Sequence, residues 1–279
     1  MRIGINLMAF GGQIGPSQIA VLPALAAMGY DGVEVPVFDP TGVDRAGVRD
    51  ALRALGLAAT VSTSMPAGAS LTRAEERARG LAHLRAVSEV AVAIGADLVC
   101  GPLASPVGFH IGRPPTMEEL ALAAEGLQEV ASLAAERGVR LAFEPLNRFE
   151  TYLVTTAAQG VALASEVDRP GFGLLLDTFH MHIEEKDSAS AIRAAGRHLI
   201  HVHLSENDRG VPGSGQVDWA GVWAALRELG YDGWIVAETF DARIPELAAA
   251  TAIWRSIGPE PLTYARETLA FARRWVARG

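Results

Sequence analysis

Cysteine is almost absent from this chain, and the single Cys100 excludes an internal disulfide framework. Long apolar runs are missing too. None approaches the roughly 18 residues that read as a bilayer-spanning helix, so no membrane partner is expected. The N-terminus opens on a strand-like run from Arg2, where a secretory leader would need a basic start and a longer apolar stretch. Cytoplasm is the expected compartment. No low-complexity tract or Pro/Gly-rich linker divides the sequence. Basic residues are in deficit, with 24 Lys and Arg against 32 Asp and Glu and a formal net charge of −8. That balance disfavours a surface tracking nucleic-acid phosphates and suits a neutral small molecule.

Apolar residues, in contrast, make up 49% of the chain and charged residues 20%, the balance of a well-packed globular protein. The 279 residues are long for one domain, but α/β barrels reach this length around one core, and a single domain over 1–279 is expected. Eight short apolar runs read as strands: Ile3–Leu7, Gly32–Val35, Leu57–Ser62, Asp97–Gly101, Val139–Pro145, Gly173–Asp177, Leu199–Leu204 and Trp234–Glu238. Between them lie segments of helical spacing, among them Ser17–Met28, Thr72–Ile94, Met117–Arg137 and Trp219–Leu229. Gly29, Gly56, Gly95, Gly138 and Gly230 follow such segments, marking helix-to-strand turns. Alternating strands and crossover helices predict parallel strands and a (β/α)8 TIM barrel, with an open doubly wound sheet as the alternative. The segment Gly11-Gly12-Gln13-Ile14-Gly15 lacks the spacing and the following Lys-Ser/Thr of a phosphate loop.

Barrel chemistry sits at the C-terminal ends of the strands, so polar residues there carry the most information. Four occur in succession: Glu144, Asp177, His203 and Glu238, each about 30 residues from the next. Placed at one mouth, three carboxylates would repel one another without a cation. Oxygen donors with one imidazole suit Mn²⁺, Mg²⁺ or Co²⁺ and fit poorly with thiolate-rich structural zinc. One such acid alone would read as a helix cap or an ion pair; four in register read as a cation site.

Three stretches carry a resemblance: Glu144–Thr151 (EPLNRFET), Leu176–Glu185 (LDTFHMHIEE) and His201–Arg209 (HVHLSENDR). They are similar to segments of the ketose 3-epimerases, the D-tagatose, D-allulose and L-ribulose enzymes of the xylose-isomerase-like barrel superfamily. Further likeness lies in Gly213–Trp219, in Gly230–Gly233 leading to Glu238-Thr239-Phe240, and in Ile253-Trp254-Arg255. It is strong from 139 to 256 and weaker over the first 130 residues. The resemblance implies a TIM barrel, one Mn²⁺-type ion on Glu144, Asp177, His203 and Glu238, and reversible inversion at C3 of a free ketose. It assigns proton transfer to Glu144 and Glu238, each acid in one direction and base in the other. A metal chelating O2 and O3 would stabilise the enediolate. By the same likeness Glu150, His180 and Arg209 contact hydroxyls around C1 to C3, Phe240 forms an apolar wall, and the protein is a homodimer or homotetramer.

Other residues read more plainly. His201 shares an inward-facing side of its strand with His203 and is expected to pack and hydrogen-bond behind it. Cys100 reads as a buried small residue. His182 stands where the family carries Asn, and Glu34 fits either the pocket lining or a structural ion pair. His110, in the divergent loop 101–115, is a candidate to reach the pocket. That loop and Ser62–Pro66 depart from the family pattern and shape the space around C4 to C6. Competing readings keep the barrel but change the reaction, to hydroxypyruvate isomerase or inosose dehydratase chemistry, or drop catalysis for sugar binding alone. A nuclease would need several ions and a basic face, against seven histidines and the acidic charge.

Overall fold

A computed structural model describes residues 1–277 of the chain; the expected domain span runs to 279, and residues 278 and 279 lie outside the described residues. Eight strands form a closed parallel sheet: β1 (Arg2–Asn6), β2 (Gly32–Pro36), β3 (Ala58–Ser62), β4 (Leu98–Gly101), β5 (Arg140–Phe143), β6 (Phe172–Asp177), β7 (Leu199–Leu204) and β8 (Trp234–Ala237). They follow chain order around the barrel, and β1 closes on β8 through the register Arg2↔Trp234 to Ile5↔Ala237. The TIM barrel expected from the alternating pattern is the fold, and the open sheet is excluded. Both faces of each strand are covered, which is why the strands read as apolar runs without polar alternation.

The helices among the described residues are α1 (Pro16–Met28), α2 (Arg45–Leu55), α3 (Ala74–Ile94), α4 (Met117–Ala135), α5 (Ala157–Val167), α6 (Thr178–Glu184), α7 (Ser188–Ala195), α8 (Trp219–Glu228), α9 (Pro245–Thr251) and α10 (Pro261–Val276). Two follow β6 and two follow β8. No described helix is long and apolar enough to cross a membrane.

Element ends differ from the sequence reading for identifiable reasons. Leu57 is claimed by the end of α2, where Gly56 at φ 66° lets the Leu57 N–H reach back to the Leu52 carbonyl at 3.1 Å. Pro145 has no N–H to continue β5. Thr72 precedes α3 because its amide donates to Ser70 Oγ at 3.1 Å. The most consequential shift concerns the expected strand-end acids. Glu144 and Glu238 stand one residue past β5 and β8, but their amides still reach the neighbouring strands, at Gly101 O (2.9 Å) and Leu204 O (3.2 Å). They continue the barrel register without belonging to its ladders.

The barrel interior is layered. Leu98, Cys100, Ala142 and Leu175 form a small apolar cluster with Ile200 against it. A buried polar set comprises Asn6, Glu34, Thr60, Ser62, His201 and His203. Bonds between Glu34 of β2 and the two histidines of β7 must cross the interior, because those strands are not neighbours in the closed sheet.

Candidate active site

A cavity of about 460 Å³ opens at the C-terminal end of the barrel, lined by Glu144, Glu150, His180, His203, Arg209, Glu238 and Phe240 among others. Its size suits a small molecule. Seven of the eight sequence-derived site residues thus share one space; the eighth, Asp177, lies beneath it. Asp177 closes β6 and caps α6 at once, its Oδ1 accepting the Phe179 N–H at 2.6 Å. Its other oxygen, Oδ2, is left for the site.

The four proposed ligands meet in two overlapping groups. Asp177, His203 and Glu238 bring donor atoms within 4.8 Å of one another, as do Glu144, Asp177 and His180. Asp177 belongs to both. His203 Nδ1 is buried without a hydrogen-bond partner, 3.4 Å from Glu238 Oε1 and 3.9 Å from Asp177 Oδ2. An orphaned imidazole nitrogen facing carboxylate oxygens fits a hard or borderline divalent cation. Arg209 partly neutralises the same acids: its Nη1 donates to Asp177 Oδ2 at 2.6 Å, Glu238 Oε2 at 2.8 Å and Ser205 Oγ at 2.8 Å. The Phe179 and Phe240 rings flank that guanidinium, 4.1 and 4.7 Å from its carbon. Arg209 reaches this position from a left-handed backbone at φ 68°.

Environment separates the acids. Burial raises the Glu144 carboxyl well above its ordinary range, with Glu238 and Asp177 adding to the rise against the opposing His203 and Arg209. Burial also works against charge at Asp177, yet Arg209, His180 and His203 hold its carboxyl low. His203 is the reverse case: burial opposes its charge, and Glu238 and Glu34 overcome that to raise it well above the usual imidazole value. His180 is held low, mainly by burial. Its Nδ1 accepts the Asn147 N–H at 3.2 Å, and its Nε2 lies 3.7 Å from Glu144 Oε1.

Several residues were missed by the sequence reading. Asn147 ties two expected ones together, its Nδ2 lying 2.9 Å from His180 Nδ1 and donating to Glu150 Oε1 at 2.8 Å. Asn6, at the end of the adjacent strand β1, donates to Glu238 Oε1 at 3.1 Å. Ser205 Oγ donates to Asp177 Oδ2 at 3.1 Å. A polar residue at a strand end was the available signal for Asn6. His110 does not reach the cavity: it is exposed, its Nε2 3.1 Å from the Phe149 carbonyl oxygen, because Phe109 bridges Thr151 and fixes the loop to the β5 loop. His182 is exposed on α6, and Cys100 is buried with Sγ 3.1 Å from Glu34 Oε2. Glu34 takes the ion-pair alternative and lies outside the cavity lining. Ser62, Thr63, Ser64 and Pro66 do line it.

A parallel barrel with acids and two imidazoles converging at its C-terminal mouth defines a class, the metal-compatible sugar-isomerase barrels. Comparison with known proteins narrows this. Residues 22–275 match the family model described as "Xylose isomerase-like TIM barrel". A probable ketose 3-epimerase from Synechocystis sp. is 35% identical over 88% of this chain and 86% of its own. An L-ribulose 3-epimerase from Mesorhizobium japonicum is 33% identical over 97% and 92%. The crystal structure of a D-allulose 3-epimerase from Methylomonas sp. with D-allulose superposes with a TM-score of 0.93 at 31% identity, covering 98% of this chain and 96% of that one. The chain belongs to the xylose isomerase-like TIM-barrel family and, within it, to the ketose 3-epimerases, enzymes of the isomerase class.

Proposed function

We propose that the protein is a divalent-metal-dependent ketose 3-epimerase that inverts C3 of a free ketohexose or ketopentose. The observation that carries this is the placement of Glu144 and Glu238 in one cavity from β5 and β8, on either side of Asp177 and His203. Glu144, Asp177, His203 and Glu238 would hold one ion, Mn²⁺ by preference, with Mg²⁺ or Co²⁺ as substitutes. When bound, the ion supplies Lewis-acid stabilisation for charge developing on O2 and O3.

The chain's own residues supply the proton chemistry. A base on one face removes the C3 proton to leave an enediolate, and an acid on the other returns one, so C3 is inverted. Glu144, which lines the cavity with Glu238, and Glu238, held by Asn6 and Arg209, suit these exchanging roles. Arg209, His180 and Glu150 orient hydroxyls around C1 to C3, and Phe240 walls the distal end. The same reading takes residues 1–279 as one domain, the protein as a homodimer or homotetramer, and the cytoplasm as its compartment.

The test is to incubate the Mn²⁺-loaded protein with D-fructose, D-tagatose and L-ribulose in D₂O. Deuterium at C3 with appearance of the C3 epimer is expected. Exchange at C1 alone, with an aldose as product, would sink the epimerase assignment.

A further inference from the structure

Glu34 is fully buried in the barrel interior below the cavity, where an unpaired carboxylate would be strongly destabilising. Five side chains from four other strands turn onto it. Asn6 Nδ2 (2.9 Å) and His203 Nε2 (2.8 Å) meet Oε1; Thr60 Oγ1 (2.9 Å), Cys100 Sγ (3.1 Å) and His201 Nε2 (2.8 Å) meet Oε2. The amide, hydroxyl and thiol donate to these oxygens, which favours the anion and makes both imidazoles N–H donors. His203 therefore spends Nε2 on Glu34; its remaining nitrogen, Nδ1, is buried and unpartnered like that of His201, but it alone faces Asp177 and Glu238.

The two histidines separate this arrangement from an ordinary buried ion pair. His201 makes the same 2.8 Å bond to the other oxygen, yet it faces no cavity and would suffice to hold Glu34 in place. His203 adds a connection from Glu34 to the cavity wall. Asn6 adds another, since the amide nitrogen that donates to Glu34 also lies 3.1 Å from Glu238 Oε1. One carboxylate thus reaches two of the four residues in the proposed cation site.

We propose that Glu34 is a positioning residue for that site. It holds the His203 ring with Nε2–H directed into the barrel and Nδ1 presented as the ligand atom, and through Asn6 it sets the rotation of the Glu238 carboxylate. This rests on the reading of His203 as a ligand. A carboxylate behind a ligating imidazole fixes its orientation and raises its basicity; losing such a partner typically weakens metal binding about 10- to 100-fold.

Mn²⁺ titration of the metal-free wild type, Glu34→Gln, Thr60→Val and His203→Asn by calorimetry tests this, with electron-spin-echo spectra of the bound ion. The wild type should bind one ion per chain with ¹⁴N modulation from an imidazole. Glu34→Gln should bind about 10- to 100-fold more weakly with that modulation reduced. Thr60→Val, which keeps the side-chain shape and removes one donor to Glu34, should show a smaller loss. Wild-type affinity in Glu34→Gln alongside loss in His203→Asn overturns the positioning role alone, even if Glu34→Gln melts lower. So does a second Mn²⁺ equivalent in the wild type that only Glu34→Gln removes. Should Glu34→Gln not fold, unchanged affinity in Thr60→Val overturns it. Unchanged binding in His203→Asn instead overturns the cation-site reading itself.

Discussion

The second half of the barrel brings charge to the cavity, while the first half brings mostly uncharged surface. From β5 onward come Glu144, Glu150, His180, His203, Arg209 and Glu238; before it come Met8, Phe38, Ser62, Thr63, Pro66, Gly101 and Pro102. The difference reverses below the cavity. There Asn6, Glu34, Thr60 and Cys100 from the first half, joined by His201 from the second, form the hydrogen-bonded bed under His203. One half therefore presents the proposed reacting groups, and the other lies beneath them and lines the uncharged remainder of the cavity.

The largest test of this division concerns the carboxylates. Glu144→Gln and Glu238→Gln should each reduce turnover by roughly 10² to 10⁴ in both directions, the usual share of a positioned acid or base. Circular dichroism should show the barrel intact. A variant keeping a tenth of wild-type turnover would place the proton carrier elsewhere and break the comparison.

A second, intermediate effect should appear in the pH dependence of the metal-free protein. Glu238 and Glu34 raise the His203 value above that of the unfolded chain despite burial. The sign follows: its stabilising contribution is full below about pH 6.5 and is lost as pH rises through the folded value. Melting temperature should fall over that range in the wild type and less steeply in His203→Asn. Mn²⁺ should offset the fall, because an ion held by His203 would take the place of its proton. Equal slopes in the two proteins would show that the halves are not coupled through this ring.

The smallest effect is expected from the divergent loop. His110→Ala should alter kcat/KM less than about twofold, as a surface change away from the cavity. A tenfold loss in steady-state assays would bring the first half into the reaction.

The sequence made the barrel legible because the βα units carry their own local signals, an apolar run, a helical period and, in five of them, a closing glycine. The acids were legible because they recur once per unit in the half with long matching motifs. The bed beneath them was not. Asn6, Thr60 and Glu34 are far apart in the chain, and only closure of the sheet brings them to His203. His110 went astray for a related reason: a loop residue's reach depends on where the loop is pinned, here by the Phe109–Thr151 bridge. Nothing in the residue types announces that contact.

Glu144 and Glu238 owe their placement to backbone bonds with Gly101 and Leu204, not to the loops that follow them. At Gly101 the backbone runs so close to Thr63 that a Cβ would collide with the Thr63 carbonyl oxygen. The proposed proton carriers are thus mounted on the chassis while the rim is a replaceable fitting. A lineage can lengthen, shorten or exchange the segments at 64–66 and 102–115, which leave Thr63 and Gly101 in place, to suit a new sugar without moving the proposed proton carriers. Grafting those two segments between relatives should accordingly change which ketose is preferred while the proposed inversion at C3 is kept.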